Sequence, residues 1–149
     1  MSYPPLLKLA SVDAYRQYFE EEYCRGPIIT FDGIAVRFRK TDFDHCGFES
    51  SMRNNVKDTF SPTRAERLGW IGEALQDPNS DRFVGWDSKK KRPDRNRRVT
   101  VVMGDYVVVI GLSGVKTALS DVKTARFITA YVADTPASLA KIKKGPRWA

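Results

Sequence analysis

His45 is the one histidine in a chain of 149 residues, and it stands in TDFDHCGFESS (41–51) beside Asp44, Cys46 and Glu49. Histidine is the side chain whose ordinary pKa lets it both accept and release a proton near neutral pH, so an enzymatic reading starts here. A lone histidine in a polar loop is more commonly a surface residue than a catalyst, and the rest of the chain has to weigh between the two. Two other chemistries fit these residues less well. Cys46 as a nucleophile beside His45 suffers because neighbours on an extended chain point to opposite faces. Asp42, Asp44 and Glu49 as a divalent-metal site for a DNA nuclease would compete with many nearby lysines and arginines for those carboxylates.

Charge indicates the partner. The chain has 25 Lys and Arg against 18 Asp and Glu, a net +7, and the sequence pI is about 9.5. From Lys89 to Arg98 it reads KKKRPDRNRR, seven bases with one acid. Such a run suits a polyanion that releases counterions on binding, so nucleic acid is the favoured partner; the bland alternative is a solvated loop that serves solubility. The composition, 42% hydrophobic and 29% charged, fits a single domain over residues 1–149 with a modest core, the first ten residues forming an irregular arm. No apolar run approaches a membrane span, and MSYPPLLKLAS lacks the pattern of a secretion signal, so a soluble cytoplasmic protein with no membrane partner is expected. Cys24 and Cys46 are too few for a disulfide framework, and one histidine without a C-x-x-C pair leaves a structural zinc almost no ligands; no metal or cofactor is expected.

The elements that must position these residues read as follows. Ser11 caps a helix over Val12 to Tyr23, with Tyr15, Tyr18, Phe19 and Tyr23 at helical spacing, and Arg25-Gly26-Pro27 ends it. Pro27 to Phe31 and Ile34 to Arg39 form a hairpin about Asp32-Gly33, the second strand alternating Ile34, Val36 and Phe38 with Ala35, Arg37 and Arg39. The chain then enters the His45 stretch, expected to continue strand-like. Asn54 to Phe60 is turn-like and holds Lys57. Ser61-Pro62 opens a helix to about Gln76 with a stripe of Leu68, Ile71 and Leu75; extended back, the stripe reaches Arg64, which then points at the sheet, with Arg67 about sixty degrees away. Val99 to Met103 and Tyr106 to Leu112 are strands turning at Gly104-Asp105, the second apolar on both faces and therefore central. Ala125 to Ala133 is the last strand, with Phe127, Thr129 and Tyr131 on one face and Ile128, Ala130 and Val132 on the other. A short helix follows Thr135-Pro136, and Trp148 ties down the tail. These elements predict an α+β domain, an antiparallel sheet of four to five strands with helices on one face.

Cleaving RNA without a metal needs a group to deprotonate the 2′-hydroxyl, a group to protonate the leaving 5′-oxygen, and cations for the phosphorane. His45, Lys57, Thr129 and Tyr131 are the candidate catalytic residues; Arg37, Arg64, Arg67, Arg98, Lys89, Lys90 and Lys91 are the candidate substrate contacts. FDHCGFES (43–50), FSPTRAERLGWI (60–71), the strand pair RRVTVV and DYVVVIGL, and RFITAYVAD (126–134) followed by a helix and PRW together resemble the phage-encoded nuclease-like proteins of the barnase, EndoU, colicin E5/D and RelE (BECR) superfamily. The resemblance runs from about Ile28 to Trp148. It implies helices packed on a four-stranded antiparallel sheet and metal-independent RNA cleavage through a 2′,3′-cyclic phosphate. By matching motifs it makes His45 the acid or base, Arg64 and Arg67 substrate contacts, and Thr129 and Tyr131 residues of the active face. EndoU-like members use two histidines, so the second proton-transfer group here would be Lys57, Tyr131 or a carboxylate such as Glu49.

Three functions compete. The first is a toxin-like endoribonuclease in bacterial cytosol, of phage or host origin, acting on tRNA or another RNA and met by an immunity or inhibitor protein. The second is a basic nucleic-acid-binding module without catalysis. The third is a phage or prophage protein whose charge meets an acidic protein surface.

Overall fold

The computed structural model describes residues 5–49, 59–84, 86–87, 92–93, 98–113, 124–133 and 135–144. Ser11 caps α1 (Val12–Tyr23) by accepting from the Ala14 amide, and Tyr15, Phe19 and Tyr23 form its buried face as their spacing predicts. Residues 5–10 carry no helix or strand, yet they are tied down: the Leu7 amide donates to the Glu66 carbonyl, and the Tyr15 hydroxyl meets the Leu7 carbonyl and the Leu9 amide. β1 (Ile28–Ile29) and β2 (Ala35–Arg37) form the expected hairpin, with Gly33 at φ 89° where other residues would be strained.

After β2 the chain does not stay extended. A 3₁₀ turn (Lys40–Asp42) leads into α2 (Phe43–Cys46), and only then come β3 (Phe48–Glu49) and its antiparallel partner β4 (Thr59–Phe60). Burial of Phe43 and long-range bonds described below hold this short helix; nothing local demands it. The expected helix from Ser61 to Gln76 is likewise two, α3 (Pro62–Ala65) and α4 (Leu68–Gln76). Competition for carbonyls explains the break. The Glu66 carbonyl is taken by the Leu7 amide of the arm, while the Arg67 carbonyl receives the Trp70 amide and, at 3.3 Å, the Tyr106 hydroxyl. The Tyr23 hydroxyl then locks α1 to the start of α4, donating to the Leu68 carbonyl at 2.5 Å and accepting from the Gly72 amide at 3.1 Å.

Beyond α4 come β5 (Asp81–Val84), the small pair β6 (Trp86–Asp87) and β7 (Arg92–Pro93), β8 (Arg98–Met103), β9 (Tyr106–Ser113), β10 (Thr124–Val132) and α5 (Pro136–Lys143), which Thr135 caps. The class is α+β as expected, but the sheet differs from the expectation. It has six strands in the order β1-β2-β10-β9-β8-β5, and it is mixed, because β2 and β10 run parallel. Those two strands lie far apart in sequence, so no turn fixes their relative sense. Nor do helices keep to one face. α1 and α4 cover the inner face around Phe19, Leu68, Ile71, Val108 and Phe127, while Leu139 and Ile142 of α5 pack on the outer face against Phe83, Val102, Val107 and Tyr131.

The even alternation expected of β10 is also broken. A bulge between Phe127 and Thr129 leaves Ile128 without an opposite residue, so Phe127 and Ala130 share the inner face while Thr129 and Tyr131 stand opposite Val109 and Val107 on the outer one. The sheet curls until its two edges meet: the Arg82 guanidinium of β5 pairs with Asp32 beside β1 and lies 4.3 Å over the Phe31 ring. Arg82→Ala is expected to cost about 1 kcal/mol, seen as a lower urea midpoint with an unchanged slope, because one partly exposed ion pair and one cation–π contact are lost. Among the described residues no helix is long and apolar enough to cross a membrane.

Candidate functional site

β2 leaves β10 after the Arg37–Arg126 pair, which uncovers the β10 edge from Phe127 onward. The 3₁₀ turn and α2 lie along that edge. Between them is a cleft of about 260 Å³ whose lining includes Arg39, Asp42, His45, Arg126, Ile128 and Thr129. Three nitrogen bases and a hydroxyl thus face one space large enough for a phosphate and part of its sugar. His45 itself is exposed, in the last turn of α2.

Arg64 builds this corner. Its Nη2 donates to the His45 carbonyl at 2.8 Å and to the Ala130 carbonyl at 2.9 Å, and lies 3.3 Å from the Thr129 hydroxyl; its Nε reaches the Cys46 carbonyl at 3.3 Å. An Nη nitrogen has two hydrogens, so the two short bonds use both of them. Arg64 therefore does for the open β10 edge what a neighbouring strand would do, and it satisfies the last carbonyls of α2 as well. It points at the sheet as its place on the helix predicts, and its bonds there tie α2 to β10. Among the described residues the Thr129 hydroxyl has two long contacts, 3.3 Å to Arg64 and 3.5 Å to the His45 carbonyl.

Other contacts hold α2 from behind. The Arg16 guanidinium bonds Asp44 at 3.0 Å and lies 4.7 Å over the Phe43 ring. Asp42, almost wholly buried, accepts from the Arg39 amide at 2.7 Å and has the Arg39 guanidinium at 3.6 Å. Both carboxylates are thereby engaged, and among the described residues no group of three or more His, Cys, Asp or Glu could hold a metal ion.

Cys46 is buried, and burial pushes its thiol up from the usual 9.0 to about 12, with the Arg64 charge opposing in part. The thiol is thus kept protonated and turned into the core, unsuited to nucleophilic work. A stability consequence follows. Above pH 9 an unfolded chain releases this proton while the folded chain keeps it, so the unfolded state binds fewer protons and stability falls as the pH rises toward 12. The fall is expected to be about 1 kcal/mol per pH unit, measurable in urea titrations, and Cys46→Ala should flatten its first part. Tyr23 and Tyr106, both raised by burial, add to the decline above pH 10.

The candidate residues are distributed unequally. His45, Arg64 and Thr129, from three distant segments, meet within hydrogen-bonding reach of one another's atoms. Arg37 stands exposed next to the cleft, opposite Arg126. Arg67 turns away from Arg64 because the helix breaks between them: its guanidinium lies 5.0 Å over the Trp70 ring, Nη1 donates to the Thr63 carbonyl at 2.6 Å, and Nε is buried without a partner among the described residues. Tyr131 is on the outer face under α5, outside the cleft lining. Arg98 is the first residue of β8, opposite Gly111. Lys57, Lys89, Lys90, Lys91 and Trp148 lie outside the described residues. Neither Arg39 nor Arg126 is among the candidate substrate contacts, although the alternation of the second strand puts Arg37 and Arg39 with the histidine near one end of the sheet. Their signal was present: Arg39 continues the basic alternation of β2, and Arg126 opens the RFITAY strand.

No protein-family model, no curated protein and no solved structure matches this chain.

Proposed function

We propose that the protein is a metal-independent endoribonuclease whose active site is the cleft between α2 and the free edge of β10. The observation that carries this reading is that His45 and Thr129, from separate sequence segments, line one cleft with Arg39 and Arg126, while Arg64 bonds the His45 carbonyl beside it. In the reaction the 2′-oxygen attacks phosphorus, the bond to the 5′-oxygen breaks, and a 2′,3′-cyclic phosphate is left. One proton leaves the 2′-hydroxyl and one reaches the departing 5′-oxygen; the His45 imidazole performs one of these transfers and solvent water at the exposed cleft performs the other. Arg39 and Arg126 stabilise the phosphorane charge, and the Thr129 hydroxyl donates to a non-bridging oxygen. Arg64 keeps the backbone of His45 at fixed height over β10.

The test is incubation of the purified protein with total RNA in excess EDTA, with the new ends probed for 2′,3′-cyclic phosphate. Cyclic ends support the reading. RNA that is bound and left intact would instead establish a binding module, the alternative favoured by the presence of a single histidine.

A further inference from the structure

The register of the sheet puts basic residues in a row that the cleft alone does not account for. Arg37 of β2 pairs with Arg126 of β10, Arg126 with Gly111 of β9, and Gly111 with Arg98 of β8. Directly opposed residues share a face of the sheet, so the four positions form one line across the strands. α5 packs on the other end of that face, around Val107 and Tyr131. Arg37 and Arg126 are exposed, and neither is in an ion pair with a carboxylate among the described residues. Like charges directly opposite each other destabilise a sheet, which makes this an expensive arrangement unless a polyanion relieves it.

The residue between the arginines fits the same use. A Cβ on Gly111 would stand 3.6 Å from Arg126 Nε and 3.1 Å from Ile128 Cδ1, so the Arg126 side chain lies across Gly111 while also lining the cleft. Three interstrand spacings of about 4.8 Å make the row about 14 Å long, more than one phosphate requires. At its far end Arg98 closes the basic run that begins at Lys89.

We infer that the row is a track for the RNA chain flanking the scissile bond, gripping several successive phosphates across the outer face without reading bases. This rests on the nuclease reading and deepens it: the substrate is an extended RNA strand, held largely regardless of sequence, and a dinucleotide is a poor one. Phosphate contacts position a chain and carry no base information.

The probe is a fluorescein-labelled, fully 2′-O-methylated RNA oligonucleotide of mixed sequence, which cannot be cleaved by 2′-oxygen attack. Its affinity is measured by anisotropy at several KCl concentrations. Arg37→Gln and Arg126→Gln should each weaken binding several-fold and lower the slope of log K against log salt by about 0.7. Lys141→Gln, an exposed cation on α5, should change neither quantity by as much. Arginine variants that behave as Lys141→Gln does, or a wild-type protein that does not bind the probe, overturn the track. His45→Ala should bind the probe as wild type does. If this binding pattern holds and cleavage is never found, the nuclease reading fails and the track stands; if wild type cleaves and the arginine variants bind the probe unimpaired, the track fails and the nuclease stands.

Discussion

His45→Ala is expected to lower RNA cleavage by about 10²- to 10⁴-fold, the usual contribution of a positioned proton-transfer group, while binding and thermal midpoint stay at wild-type values. The substitution is clean for a structural reason. The bonds that fix this residue run through its carbonyl, which accepts from Arg64 at 2.8 Å, and alanine keeps that carbonyl. The imidazole itself is exposed at the cleft, so its removal leaves no cavity in the core. Single-turnover cleavage of an end-labelled RNA in excess EDTA reads the effect directly. A variant that still cuts at the wild-type rate would move catalysis away from this cleft.

Arg64→Ala carries the second large effect, on stability and on activity together. It leaves the Ala130 edge carbonyl and the α2 carbonyls of His45 and Cys46 without their donor in a part-buried corner. Losing a charged donor that serves several such groups is expected to cost about 3 kcal/mol, read from the urea midpoint. Arg64→Lys should recover only part of this, because a single ammonium cannot span carbonyls on two elements as the guanidinium fork does. Cleavage should fall with stability in both variants, since α2 is no longer held over β10. Unchanged stability with cleavage abolished would make Arg64 a direct phosphate ligand rather than a positioning residue.

Much of the scaffold around these groups is legible in the sequence where the signal is local. The Ser11 cap and the spacing of Tyr15, Phe19 and Tyr23 give α1 its bounds; the Asp32-Gly33 turn gives the first hairpin; the doubly apolar YVVVIGL run becomes β9, between β8 and β10. The site was partly legible for the same reason. His45, Arg64 and Thr129 are conspicuous by type, and Arg64 by its position on the α4 stripe. Arg126 was not, since it is one arginine among many until a fold sets it beside the histidine.

What the sequence by itself determined is therefore the α+β class, the principal helices and strands, the cationic character, and which residue types are available for proton transfer and phosphate contact. Only the tertiary structure decided how they meet. α2 exists because Arg16 and Arg64, distant in sequence, bind it from two sides. The helix expected to continue past Ala65 breaks because the arm and Tyr106 take its carbonyls. The parallel pairing of β2 with β10, the Ile128 bulge, and the meeting of the sheet edges at Arg82 all depend on partners that no local pattern names. Local preference fixes a segment's conformation, but a competing long-range bond of similar free energy can override it, and the choice among such bonds is made only when the whole chain packs.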